Sequence, residues 1–361
     1  MRSMRFLGST SKRGYPFFGQ SGFPEVVYID GFAGPGRYSA GEDGSPIIAL
    51  KAALEQRDRI RPKMTFVFVE KMRARAEVLR EILRDMDIPP EFTLTVAGDE
   101  GPTSGFEDVV TRFVDEHTRN GRNLPPTFAF IDPFGWRVPF QLVRRILSYP
   151  SCEVLITFMY EEINRFIGLP EQEANFNSLF GTNAWRTIAA VSEPRERKGQ
   201  IHDLYMRQLR DSAGAKYVRS FEMRNDRDVT DYYLFYATNN LLGLKRMKNA
   251  MWRVDRSGGF TFSDAADPNQ LVLFGDEPEY DVLRGLILNR FQGEATTIAE
   301  IEEFVVAETA FCDTHFKRQI LRLLELSNPP GLMAIDPPDN RRPGTYPDPS
   351  LRVRFTTAPL L

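Results

Sequence analysis

Short runs of apolar, mostly β-branched or aromatic residues recur along the first half of the chain. Each is followed by a stretch whose apolar positions return every three or four residues. VVYIDGFAGPGR (Val26–Arg37) is the first run and ends in an acid and a glycine-rich turn. TFVFVEK (Thr65–Lys71), FTLTVAGD (Phe92–Asp99), TFAFIDPFG (Thr127–Gly135) and CEVLITFMY (Cys152–Tyr160) follow. Apolar runs bounded by turn residues read as strands. Between them lie helical patterns: IIALKAALEQR after Gly44-Ser45-Pro46, with Ser45 as N-cap and Pro46 as first helical residue; Met72 to Asp87; GFEDVVTRFVDEHTR; and PFQLVRRILS. Strand and helix alternate five times, which predicts a parallel sheet covered on both faces.

The alternation stops after Tyr160, where a mixed helical insertion spans about 161–214. Ala215–Arg224 and Asp231–Asn239 then read as two strands joined by NDRD, an antiparallel terminal hairpin. A basic helix, LLGLKRMKNAMWRV, follows. Near the end, three amphipathic helices (EYDVLRGLILNRF, TIAEIEEFVVAET, THFKRQILRLLEL) precede two short strands, LMAIDP and LRVRF, around a Pro/Gly/Arg-rich loop. That is a winged-helix pattern. The expected division is a large α/β domain over 1–275 and a winged-helix domain over 276–361.

A chain of 361 residues accommodates two domains, and 42% apolar with 26% charged residues is ordinary for a globular protein. With 46 basic against 49 acidic residues the net charge is −3, which excludes a polyanion-coating protein. Residues 276–361 carry nine bases against fourteen acids, so that module is acidic. Only Cys152 and Cys312, far apart, and three histidines occur, so neither a disulfide framework nor a metal centre is expected. The start, MRSMRFLGSTSKRGYPFF, has no apolar core of a secretory signal, and no window is apolar enough to span a membrane. The cytoplasm is the expected address.

The glycine-rich turn lets a ligand approach the backbone and a helix N-terminus. No Gly-Lys-Ser/Thr follows, so it is not a P-loop, and Ser39 stands where a dinucleotide fingerprint wants its third glycine. Asp30 before the turn would repel a pyrophosphate but hold an ammonium group. Glu70 ends the second strand, where a carboxylate can accept two ribose hydroxyls, and Asp99 ends the third, within reach of an adenine amine. Three acids at successive strand ends suit S-adenosylmethionine (SAM).

Asp132-Pro133-Phe134-Gly135 resembles the Asp/Asn-Pro-Pro-Tyr/Phe motif of amino methyltransferases. The second proline is replaced by Phe134, a variant that resembles tRNA guanine-N2 dimethyltransferases as much as adenine-N6 enzymes. Asp132 and the Pro133 carbonyl could accept the two N–H bonds of an exocyclic amine, and Phe134 could stack on the base.

YIDGFAGPGRY, GSPIIAL, FIDPFG and TFMYEEINRF together resemble the three-Cys-motif partner family (TcmP), over most of Val26 to Leu361. The resemblance implies a class I methyltransferase Rossmann-like domain that binds SAM. Asp30, Phe32, Ala33, Gly34 and Gly36 would form the cofactor turn, Glu70 would hold the ribose, and Asp132, Pro133 and Phe134 would face the transferred methyl. It also implies a separate partner protein with a three-cysteine motif, of radical-SAM type. The loop Arg37–Asp43 could act as a lid.

Arg165, after the fifth strand, could pair with a substrate phosphate or carboxylate. Lys245, Arg246, Lys248, Trp252 and Arg253, with Arg195, Arg197 and Lys198, read either as a solvated helix face or as a nucleic-acid surface. Lys317, Arg318, Arg341 and Arg342 are the candidate contacts of the C-terminal module with nucleic acid or a protein. The expected function is SAM-dependent methylation of a nitrogen of a nucleic-acid base. The alternative is a methyltransferase-like scaffold that serves the three-cysteine-motif protein through its winged helix.

Overall fold

A computed structural model of the chain describes residues 22–101, 104–225, 227–254, 261–263 and 278–356. Two compact units form, the first running to Gly243 and the second beginning at Leu244. The expected boundary at 275/276 and the first residues of the chain lie outside the described residues.

The first unit is built on an eight-stranded sheet in the order β3-β2-β1-β4-β5-β7-β6-β8. Its strands are β1 (Glu25–Asp30), β2 (Lys63–Val69), β3 (Phe92–Ala97), β4 (Thr127–Ile131), β5 (Glu153–Phe158), β6 (Tyr217–Arg224), β7 (Thr230–Thr238) and β8 (Thr261–Ser263). β1 pairs in parallel with both β2 and β4, β2 with β3, and β4 with β5. β7 runs antiparallel to β5 and β6, so the hairpin enters the sheet by its second strand. The α/β class, the mostly parallel sheet and the antiparallel hairpin follow the sequence pattern.

The helices of this unit are α1 (Ser45–Leu54), α2 (Arg73–Arg84), α3 (Phe106–His117), α4 (Phe140–Leu147), α5 (Tyr160–Phe166), α6 (Glu173–Phe180), α7 (Trp185–Ala189) and α8 (Pro194–Arg207). The helical insertion is α5 to α8 with a π-turn over Gln208–Ser212. The N-cap of α1 is Gly44 rather than Ser45, and Ser45 is instead a buried first residue of the helix.

Alternation of side chains along the central strands explains the burial on both faces. Val27 and Ile29 belong to a core that includes Val109 and Val110 of α3 and Val143 and Ile146 of α4. Tyr28 points the other way, stacked on Phe128 at 6.0 Å and tilted on Phe66 at 5.9 Å. β1 and β4 lie where the strand order reverses, so their C-terminal ends open a crevice.

The second unit holds α9 (Leu241–Val254) from Leu244 on, α10 (Tyr280–Phe291), α11 (Ile298–Glu308) and α12 (Arg322–Leu326). Its sheet is β10 (Leu332–Ile335), β11 (Arg352–Phe355) and β9 (Ala295–Thr297), all antiparallel. The three-residue β9 is too short to register in a hydrophobic pattern. Thr297 opens α11 with a capping box to Glu300. The third expected helix is a π-turn, Lys317–Leu321, that continues into α12.

Two of the cations on α9 do not face solvent. The Lys248 side chain is fully buried, and its ammonium donates to the carbonyls of Val305 (3.2 Å), Val306 (2.8 Å), Thr309 (2.9 Å) and Phe311. It satisfies carbonyls that the C-terminal end of α11 leaves open. Lys245 pairs with Glu302, and Trp252 Nε1 donates to Ala310 O at 2.9 Å.

Candidate functional site

A cleft of about 610 Å³ opens at the C-terminal ends of β1, β4 and β5. It is lined by the turn Phe32–Ser39, Gly44, Ser45, Arg75, Asp132–Gly135, Thr157, Met159, Glu162, Asp231 and Tyr232. The volume is that of a small-molecule site.

Asp30 ends β1 directly behind this lining. Its side chain is completely buried; Oδ1 accepts the Phe32 N–H at 3.2 Å and Oδ2 has no hydrogen-bond partner. Burial is the main reason its pKa rises from 3.8 to about 7; Ser45 and the Phe32 amide oppose the rise, and Asp132 and Glu70 add to it. A buried carboxylate with a bare oxygen is costly unless a cation or donor meets it. Phe32 packs on Phe106 at 5.2 Å, and the Ala33 N–H donates to Val69 O at 2.9 Å, which pins the turn to β2. Gly36 has φ +81°, and a Cβ there would stand 2.8 Å from Leu79 Cδ1. Only glycine fits both conditions.

The loop Arg37–Asp43 is tied at its base. Arg37 and Asp43 form a β-bridge and an ion pair at 3.5 Å, and Asp43 also accepts from Lys51 of α1. Tyr38 and Ser39 remain on the cleft wall. The Tyr38 hydroxyl is held protonated, its pKa raised by burial and then by Asp132, Asp30 and Glu42.

Glu70 is buried at the end of β2, and its Oε1 accepts the Met72 N–H at 2.7 Å. Neither Glu70 nor Asp99 is among the residues lining the cleft. Arg80 of α2 binds both oxygens of Asp99, at 2.8 and 2.7 Å, and this ion pair holds the Asp99 pKa down. The pairing residue comes from a helix two elements earlier, which a reading of strand ends alone does not reveal.

Asp132 and Pro133 line the cleft, and the Phe134 ring at its rim is 85% exposed. The Arg75 guanidinium lies 5.9 Å from the centre of that ring. The exposed ring leaves both of its faces largely uncovered at the cleft rim. Arg75, Tyr38, Thr157, Glu162, Asp231 and Tyr232 are cleft residues the sequence reading did not single out. Glu162 had a signal: it stands just past the fifth strand, where open α/β sheets bind ligands.

Arg165 lies outside the cleft lining, with its guanidinium 4.3 Å from the Phe166 ring centre. Arg341 is not an open contact at the tip of its loop. Its side chain is 7% exposed and forms a bidentate pair with Glu325 at 2.8 and 2.7 Å, and Tyr346 and the Gly344 N–H share that carboxylate. Lys317 stands 3.4 Å from Glu302. Arg318 and Arg342 are exposed.

Among the described residues no cluster of three or more His, Cys, Asp or Glu is arranged to hold a metal, and no helix is long and apolar enough to cross a membrane. No family model matches the chain, and no curated protein does. Solved structures resemble it loosely. An O-methyltransferase from Bacillus cereus in complex with SAH is 10% identical, over 65% of this chain and 80% of that one, at a TM-score of 0.36. A putative O-methyltransferase from Klebsiella pneumoniae is 10% identical over 66% and 89%, at 0.32. A precorrin-6y C5,15-methyltransferase from Geobacter metallireducens is 11% identical over 66% and 88%, at 0.29. Superpositions this loose assign no activity, so the functional reading rests on the cleft's own residues.

Proposed function

We propose that this chain is a SAM-dependent methyltransferase that acts on a nitrogen of a nucleic-acid base. The observation that carries the cofactor is Asp30 Oδ2, buried and unpartnered behind a glycine turn. It fits an ammonium group, and the turn Phe32–Gly36 gives room for the rest of an amino-acid chain along the cleft. Glu70 would take the ribose hydroxyls. When bound, SAM would supply a sulfonium-activated methyl group.

The chain's own residues would prepare the acceptor. An exocyclic amine is a poor nucleophile because its lone pair is delocalised into the ring. The Asp132 carboxylate and the Pro133 carbonyl accept its N–H bonds and turn the lone pair out of conjugation, while Phe134 stacks on the ring. The rate gain comes from orientation and from exclusion of water. Calorimetry with SAM and with SAH tests the reading. Micromolar binding is expected, and no heat from either ligand in folded protein refutes it.

A second reading has its own support. In the second unit Lys245, Lys248 and Arg341 are spent internally, whereas Leu323, Leu326 and Met333 are half exposed or more. That balance favours protein docking over phosphate contact, as the resemblance to the three-Cys-motif partner family implies for a winged-helix module that meets a separate three-cysteine-motif protein. Asp132→Ala would then leave biological activity intact. Loss of activity with retained partner binding counts against it.

A further inference from the structure

The cleft lining carries two cations, Arg37 and Arg75, and three acids, Asp132, Glu162 and Asp231, each acid from a different element. Glu162, on the first turns of α5, reaches the Asp132–Gly135 loop: a Cβ on Gly135 would lie 3.6 Å from Glu162 Oε2. Two carboxylates are therefore brought to one short loop beside an exposed aromatic ring.

An ionised carboxylate only accepts hydrogen bonds. The edge of adenine presents an amine beside the acceptor N1, and that of cytosine an amine beside the acceptor N3, so either would set a lone pair against an acid. Guanine alone presents adjacent donors, N1–H and N2–H₂, which one carboxylate can accept together. A protein-borne guanidinium would also satisfy the acids, but the Arg75 guanidinium at the Phe134 ring repels a second cation and attracts a phosphate.

Resting on the methyltransferase reading above, we propose that Glu162 is a specificity-determining residue, that the acceptor is a guanine nucleotide, and that Arg75 meets its phosphate. Glu162 takes the donor edge with Asp132, and Phe134 covers the ring face.

Binding to the full chain, followed by NMR line broadening with guanosine, inosine, 1-methylguanosine, adenosine, cytidine, guanosine monophosphate and an N-acetylated arginine amide, tests this with or without SAH. Guanosine is expected to bind at least about tenfold tighter than inosine, which lacks the amine, and than 1-methylguanosine, which lacks N1–H. Glu162→Gln should weaken guanosine by about tenfold with SAH affinity unchanged. Arg75→Ala should cut the preference for the monophosphate over guanosine by up to about fivefold. The comparison among nucleosides needs no variant, so misfolding of one cannot mask the answer. Adenosine or cytidine binding as well as guanosine overturns the assignment, as does tighter binding of the arginine amide. Normal SAH binding with no nucleoside preference overturns it while leaving the methyltransferase reading in place. Absent SAH binding overturns both.

Discussion

Asp30 should make cofactor binding release a proton. With its pKa raised to about 7, this carboxyl is about 90% protonated at pH 6 in the free protein. An ammonium group seated on Oδ2 replaces that proton, so calorimetry at pH 6 in buffers of different ionisation enthalpy should read about 0.9 proton released per SAH. The release should fade as pH passes 7, where the carboxyl is already ionised, and vanish in Asp30→Asn. The same shift sets a stability profile. The folded protein holds its proton where the unfolded chain, at 3.8, has lost it, so the contribution is complete below about pH 4 and is lost as pH rises through 7. The rise is worth about 4 kcal/mol against the ionised form. Asp30→Asn should therefore match wild type in urea unfolding at pH 4 and exceed it by up to about 4 kcal/mol at pH 8. Heats that do not depend on the buffer, or an Asn variant no more stable at pH 8, would refute the argument from the buried oxygen.

Other outcomes follow from single contacts. Lys248→Met should destabilise the second unit by about 1–3 kcal/mol in chemical unfolding, because it strands buried carbonyls at the end of α11. Gly36→Ala should cost about 1–3 kcal/mol and weaken SAH binding, since a Cβ meets Leu79 in a left-handed backbone. Phe134→Ala should leave the melting temperature within about 1 °C, because an 85% exposed ring packs little, yet weaken nucleoside binding. His315, its pKa lowered to about 4 by burial and then by Lys248, should make the second unit less stable as pH falls from 6.5 towards 4; that dependence should be missing in His315→Gln.

The sheet was legible because each central strand is buried on both faces and so reads as an unbroken apolar run, as in EVVYID and TFAFI. The ends of those strands were legible for the same reason: an acid at the close of an apolar run has no packing role, and Asp132 lines the cleft with Asp30 buried directly behind it. Asp99 belonged to the same pattern, but it closes an ion pair. Its partner, Arg80, is 19 residues earlier on a helix face, and no local signal marks such a pair. Asp231 was missed because it joins the cleft only once β7 has inserted next to β5, a pairing across the whole helical insertion.

Charge was the least legible property, and the reason bears on function. A lysine or arginine in a sequence counts as an open cation, but Lys248 ends on four carbonyls, Lys245 on Glu302, and Arg341 on Glu325. Several of the cations that suggested phosphate contacts are internal fastenings, and Arg37 and Arg75 are the cations that line the cleft. The discriminating power of this site then lies with acids. A carboxylate facing an acceptor edge leaves lone pairs opposed at short range, whereas the attraction of an arginine for a phosphate is longer-ranged and screened by salt. Selection by Asp132 and Glu162 should accordingly persist in high salt, whereas any contribution from Arg75 should fade over the same range. Guanosine affinity that collapses between 50 and 500 mM salt would place the recognition on the cation instead.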